Sequence, residues 1–144
     1  MELRDFINHF YTNADEKGKE GFIDFLKSES LLKQRKVFEA NQLLVHIKSS
    51  NNSKNIAPLL SLRRAIILSR LKKYNEALSE LNLLEGTIFA DKGIIMSGQI
   101  YERFYNDSSK ASEFYFRIIN DYPESIFSEP IRYHLRKLKD DEKI

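Results

Sequence analysis

At 144 residues, 42% hydrophobic and 31% charged, the chain has the size and apolar content of one soluble globular domain and is too apolar to be disordered throughout. Five glycines and three prolines are too few for the many tight turns of a sandwich or barrel, and the lack of cysteine excludes disulfides, thiolate zinc sites and cysteine nucleophiles. A net charge of +2, from 23 basic and 21 acidic side chains, gives no strong pull toward nucleic acid or anionic lipid.

The opening Met1-Glu2-Leu3-Arg4-Asp5 is acidic and has no apolar run, so it does not read as a secretory signal. Leu3, Phe6, Ile7 and Phe10 then predict an amphipathic helix from about Glu2 to Asn13, and Ala14 to Glu20, with Gly18, predicts a polar loop. Helices follow over about Gly21 to Gln34 and Lys36 to Lys48. Ser49 to Asn55 is a polar loop and the segment expected to be most mobile. Two more helices span about Ala57 to Leu71 and Asn75 to Glu85, the second closed by Gly86 as a left-handed terminator. Another two span about Phe89 to Phe104 and Ser108 to Asn120. A last helix begins near Ser128 as N-cap, with Pro130 in its first turn, where a missing N–H costs nothing. Its Ile131, Leu135 and Leu138 share one face, while Arg132, Arg136, Lys137 and Lys139 point away. No stretch approaches the roughly 20 apolar residues that span a bilayer.

These helices repeat as pairs. Ala40, Leu44 and Ile47 are matched by Ala77, Leu81 and Leu84, and again by Ala111, Tyr115 and Ile118, the alanines lying 37 and then 34 residues apart. Before each alanine a small residue precedes a large one by three: Ser28 and Leu31, Ala65 and Leu68, Gly98 and Tyr101. From the large residue to the alanine is nine positions in the first two units and ten in the third. Helices joined by short turns approach closely only where a side chain is nearly absent, and a single pair cannot bury its own apolar face.

The pattern resembles the tetratricopeptide repeat. Gly98, Tyr101, Ala111, Tyr115 and Pro123 carry the likeness in the third unit and Ala65, Leu68, Tyr74, Ala77 and Leu81 in the second. The first is more degenerate, with Ser28 and Val37 at the small and aromatic positions. Tyr115 to Ser125, followed by Ile126-Phe127 and Arg132 to Leu138, is also similar to the carboxy-terminal ends of large tetratricopeptide proteins of the Bacteroidetes, many of them exported. The resemblance implies an all-α fold, a right-handed α-α superhelix of about three helix pairs with an N-terminal helix and a C-terminal capping helix. It would be one domain over 1–144: N-terminal helix and loop 1–20, pairs 21–50, 57–86 and 89–123, and cap 126–139. It also implies a non-catalytic scaffolding or protein-binding role near the cell envelope, as the C-terminal part of a larger exported protein. A native start at Met1 would instead imply the cytoplasm.

No arrangement that carries chemistry stands out. His9, His46 and His134 lie in separate predicted helices with no ligand partner at metal spacing, and there is no glycine-rich phosphate loop and no Gly-x-Ser-x-Gly elbow. No cofactor and no metal is implied. Asp140-Asp141-Glu142 reads as a solvated tail, Arg63, Arg64 and Arg70 as outward charges on a helix.

By the resemblance, the first helix of each pair lines a concave face. Phe25 and Glu29 would come from the first unit, Leu62, Ile66 and Arg70 from the second, and Gln99 and Arg103 from the third. With Phe25, Leu62 and Ile95 where a chaperone-type polar clamp would begin, that specialised role is rejected. An apolar groove needs a cover: a protein or peptide partner, a second copy of the chain in a homodimer, or the chain's own first helix. An open groove predicts that serine at Leu62 and Ile66 removes capture and leaves helix content intact. The alternative is a regulatory or nucleic-acid-associated helical protein using Arg63, Arg64, Arg132, Arg136 and Lys139. Its binding would weaken steeply with salt, and that of an apolar groove would not.

Overall fold

The structure, a computed structural model, describes residues 16–49 and 56–142, with side chains over 22–47 and 56–141. The described residues are all-helical, with no strand. They form α1 (Glu16–Lys33), α2 (Val37–Ser49), α3 (Ala57–Arg70), α4 (Tyr74–Asn82), α5 (Ala90–Arg103), α6 (Ser108–Asp121) and α7 (Ser128–Glu142). The expected helix over 2–13 and most of the polar loop over 49–55 lie outside the described residues. The chain divides into two compact units, Met1–Lys73 and Tyr74–Ile144, a boundary that runs through the second expected pair. Within each unit, helices pack mainly on their neighbours in sequence, as expected where burial comes from stacking.

One boundary differs clearly from expectation. Residues 16–20 begin α1 instead of continuing a loop. Glu16, Lys17, Lys19 and Glu20 are all good helix formers, and a single helical glycine costs only about 1 kcal/mol. Two other ends shift less. α4 stops at Asn82, and its last turn tightens into i→i+3 bonds such as Leu84 N–H to Leu81 O, before Gly86 turns the chain at φ 77°. At α7 the first helical bond runs from Ile131 N–H to Phe127 O, so the cap lies one residue before Ser128.

The repeat alanines Ala40, Ala77 and Ala111 are all fully buried, as are Ser28 and Ala65 on the preceding helices. In the first unit α1 packs on α2 and α2 on α3, with Leu44, Ile47, Leu59, Leu60 and Ile67 in the core. In the second unit the core gathers Ile94 and Ile95 of α5, Ala111, Tyr115 and Ile118 of α6, and Ile131 and Leu135 of α7. Two glycines set the spacing there. A Cβ on Gly93 would lie 3.0 Å from the Leu81 carbonyl oxygen, where α4 meets α5. A Cβ on Gly98 would lie 2.5 Å from Cε1 of the buried Tyr115 ring, where α5 meets α6.

The turns repeat as well. Arg35 (φ 62°), Lys72 (φ 62°) and Asn106 (φ 51°) each stand five residues before a repeat alanine and, among the described residues, are the non-glycine residues in the left-handed region. At the first two the helix ends in a Schellman motif. Lys36 N–H bonds Leu31 O at 2.9 Å and Arg35 N–H bonds Leu32 O, and Lys73 and Lys72 repeat this with Leu68 and Ser69. The extra residue of the third turn changes the solution. Asp107 N–H reaches back to Tyr101 O at 2.9 Å, while the Asp107 carboxylate accepts Lys110 N–H at 2.9 Å and caps α6.

Candidate functional site

The residues expected to line a groove divide by burial. In the first unit Phe25 is 1% exposed and stacks against Phe22, and Leu62 is 5% exposed, so neither offers a free apolar surface. Serine at Leu62 would therefore remove buried apolar area and cost about 3 kcal/mol of stability, so that variant tests the core as well as a groove. Ile66 is half-buried and Arg70 exposed. Glu29 is half-buried and holds Arg63 across the helices at 2.8 Å, so Arg63 is a paired charge and not part of an outward basic cluster. In the second unit Gln99 is half-buried, Arg103 exposed and Ile95 buried.

His134 has a partner that its sequence surroundings conceal. Its Nε2 lies 2.7 Å from Oε1 and 3.0 Å from Oε2 of Glu102, and the same carboxylate accepts the Tyr115 hydroxyl at 2.8 Å. One carboxylate thus ties α5, α6 and α7 together. Burial first, then the hydrogen bond to Glu102 and its negative charge, push the Tyr115 phenol well above its usual value. His46 is exposed, and His9 lies outside the described residues. Among the described residues no group of three His, Asp or Glu could hold a metal ion, and no helix is long and apolar enough to cross a membrane.

One cleft lies wholly in the second unit. Of about 330 Å³, it has α5 as its floor and α4 and α6 as its walls. Its floor is low because Ala90, Gly93 and Ser97 follow one another along α5 at helical spacing, and the Ser97 hydroxyl turns back to donate to Gly93 O at 2.8 Å. At one end stand Tyr101 and Phe114, their rings stacked at 5.5 Å between centroids and 17° between planes. One turn further along α6 from Phe114, Arg117 Nη2 reaches Glu85 Oε1 at 3.3 Å. Of the twelve lining residues only these two carry charge; Ser79 and Asn82 add polar groups to the α4 wall.

None of the groove residues foreseen from sequence lines this cleft. A signal for its one charged pair, and for three polar pairs elsewhere in the second unit, was nevertheless present in the repeat period. Glu85 and Arg117 are 32 residues apart, Glu102 and His134 also 32, Asp91 and Ser125 34, and Asn75 and Tyr105 30. Complementary polar residues about one repeat apart meet in space, on helices and on the connections between them, because stacking places equivalent positions side by side. No family model matches the chain, and no curated protein or solved structure is significantly similar to it.

Proposed function

We propose that this chain is a non-catalytic protein–protein interaction module, a degenerate tetratricopeptide-type array that holds a peptide segment of a partner protein. The observation that carries this reading is the cleft over α5: open, walled by two helices, apolar along its floor and polar at its rim. Peptide sites share that composition, with apolar area for affinity and a few polar groups to orient the chain. The repeated packing supports it in a second way. Within the second unit Ala77 and Ala111 are fully buried on the two wall helices, so the cleft is preformed, and a preformed site loses little conformational entropy when a ligand docks. By the same resemblance the module belongs to a larger scaffold of the cell envelope.

The test is selection of peptides from a random display library on the full chain, followed by binding to Asn82→Trp. Asn82 is exposed on the α4 wall, so an indole there fills the cleft mouth and leaves the core alone. The expected result is an enriched set of peptides that Asn82→Trp fails to bind while its thermal unfolding is unchanged. A library that yields no enriched peptide, or peptides indifferent to Asn82→Trp, removes this reading of the cleft.

A further inference from the structure

We infer that the cleft selects an extended peptide carrying an apolar side chain and a carboxylate side chain two residues apart, the apolar group against Phe114 and Tyr101 and the carboxylate on Arg117. This rests on the peptide-binding reading and names the peptide. Phe114 and Arg117 are three residues apart on α6, so they stand side by side on one helical face, about 5–6 Å between Cβ atoms. In an extended chain, side chains on one face recur every second residue, about 6.6 Å apart. The two spacings match. A residue pair of the form apolar-x-acidic therefore reaches the aromatic end and the cation together.

The charge at the rim already shows the chemistry. Arg117 is held by Glu85, a carboxylate on the connection between α4 and α5, through one nitrogen at 3.3 Å, with both side chains well exposed, 41% and 68%. A pair of that length and exposure is weak and easily exchanged. An incoming carboxylate can take the guanidinium in a two-point fork, shorter and stronger than the resident contact. Glu85 is thus an internal competitor for the position the ligand carboxylate occupies. The consequence is an opposite response of the two partners. Removing the cation weakens binding, and removing the resident anion strengthens it. A pair that merely supports the fold would weaken binding, if at all, from either side.

The experiment titrates the full chain with two synthetic peptides, acetyl-Gly-Phe-Ser-Asp-Gly-amide and its reversed order acetyl-Gly-Asp-Ser-Phe-Gly-amide, following backbone amide NMR shifts. The matching Asn peptides serve as neutral controls. At least one Asp peptide is expected to shift the amides of Gly93, Ser97 and Arg117, and its Asn counterpart to bind about tenfold more weakly. Arg117→Gln should abolish the difference between them, and Glu85→Gln should tighten the Asp peptide about two- to fivefold. Equal binding of Asp and Asn peptides, no shift, shifts confined to other surfaces, or the same direction of change in both variants each overturn the inference. If display-selected peptides still depend on Asn82 while Asp and Asn forms bind alike, the interaction module stands and only the acidic specificity falls.

Discussion

The hairpins α1–α2 and α5–α6 are built on the same repeat positions and fill them differently. In the first, the small position is Ser28, which is fully buried and donates its hydroxyl to Phe25 O at 2.6 Å, and the residue four beyond the repeat alanine is Leu44. In the second, those positions are Gly98 and Tyr115, and the ring lies where a Cβ of residue 98 would sit. The larger residue on the second helix is matched by the smaller one on the first. The space between two helices of a pair is therefore conserved as a sum, and the tyrosine brings a hydroxyl that recruits Glu102 and, through it, His134. In the first hairpin the large position, Leu44, is aliphatic and the Ser28 hydroxyl stays on its own helix. The second uses its extra volume to carry a polar tie to α7.

The strongest test of that sum exchanges the two solutions. Gly98→Ser puts side-chain atoms within 2.5 Å of the Tyr115 ring and should cost about 3 kcal/mol, read as a lower urea midpoint at unchanged slope. Tyr115→Leu alone should cost about 2–3 kcal/mol through lost area and the lost hydroxyl bond. Together they recreate the first hairpin's pair, so the double variant should be at least about 1 kcal/mol more stable than the two losses predict. Additivity to within about 0.5 kcal/mol would mean that the two positions do not share one space.

How much of this was legible follows from how local each signal is. The triplets around Ala40, Ala77 and Ala111 lie on single helical faces, so their periodicity exposes both the helices and the buried side, and all three alanines are fully buried. Gly98 was readable as a small position, but its reason, a tyrosine ring on the next helix, was not. Gly93 carried no sequence signal, because what crowds it, the Leu81 carbonyl and the Leu84 side chain, comes from another part of the chain. Which of the expected groove residues are covered was hidden for a related reason. Phe25 and Leu62 share faces with outward residues, and only packing decides that they are covered. The Glu102, His134 and Tyr115 group joins three helices, and no window of sequence contains it.

The polar tie can be sharpened without changing the packing. Tyr115→Phe keeps the ring and removes the hydroxyl, and should cost about 1.5 kcal/mol at neutral pH. It should also change the alkaline limb. The Tyr115 phenol is raised above its ordinary 10.0, so below pH 10 both folded and unfolded chains hold the proton and the group makes no pH-dependent contribution. Above that value the unfolded chain releases the proton and the folded chain keeps it, so stability falls as pH rises, by up to about 1.4 kcal/mol per unit from this one group. Unfolding free energies measured at pH 10 and pH 11 should fall more steeply in the parent than in Tyr115→Phe. Parallel slopes would mean that the phenol ionises as freely in the fold as outside it. The first hairpin, with Leu44 at this position, has no counterpart to this limb.

The smallest effect separates the turns. Arg35 and Lys72 hold a left-handed conformation that costs an ordinary side chain about 1–2 kcal/mol, and the Schellman bonds to Leu31 and Leu68 hold them there. Glycine removes that strain but loses more backbone freedom on folding, about 0.5–1 kcal/mol, so Arg35→Gly and Lys72→Gly should each gain only about 0.5 kcal/mol. All three turn residues are exposed, so no packing is disturbed. Asn106 is different, because asparagine tolerates this conformation, and Asn106→Gly should leave stability unchanged or slightly reduced. Urea midpoints of the three variants in parallel decide the matter. An equal gain at all three would show that the longer third turn is strained like the others, and that Asp107, by capping α6, does nothing to ease it.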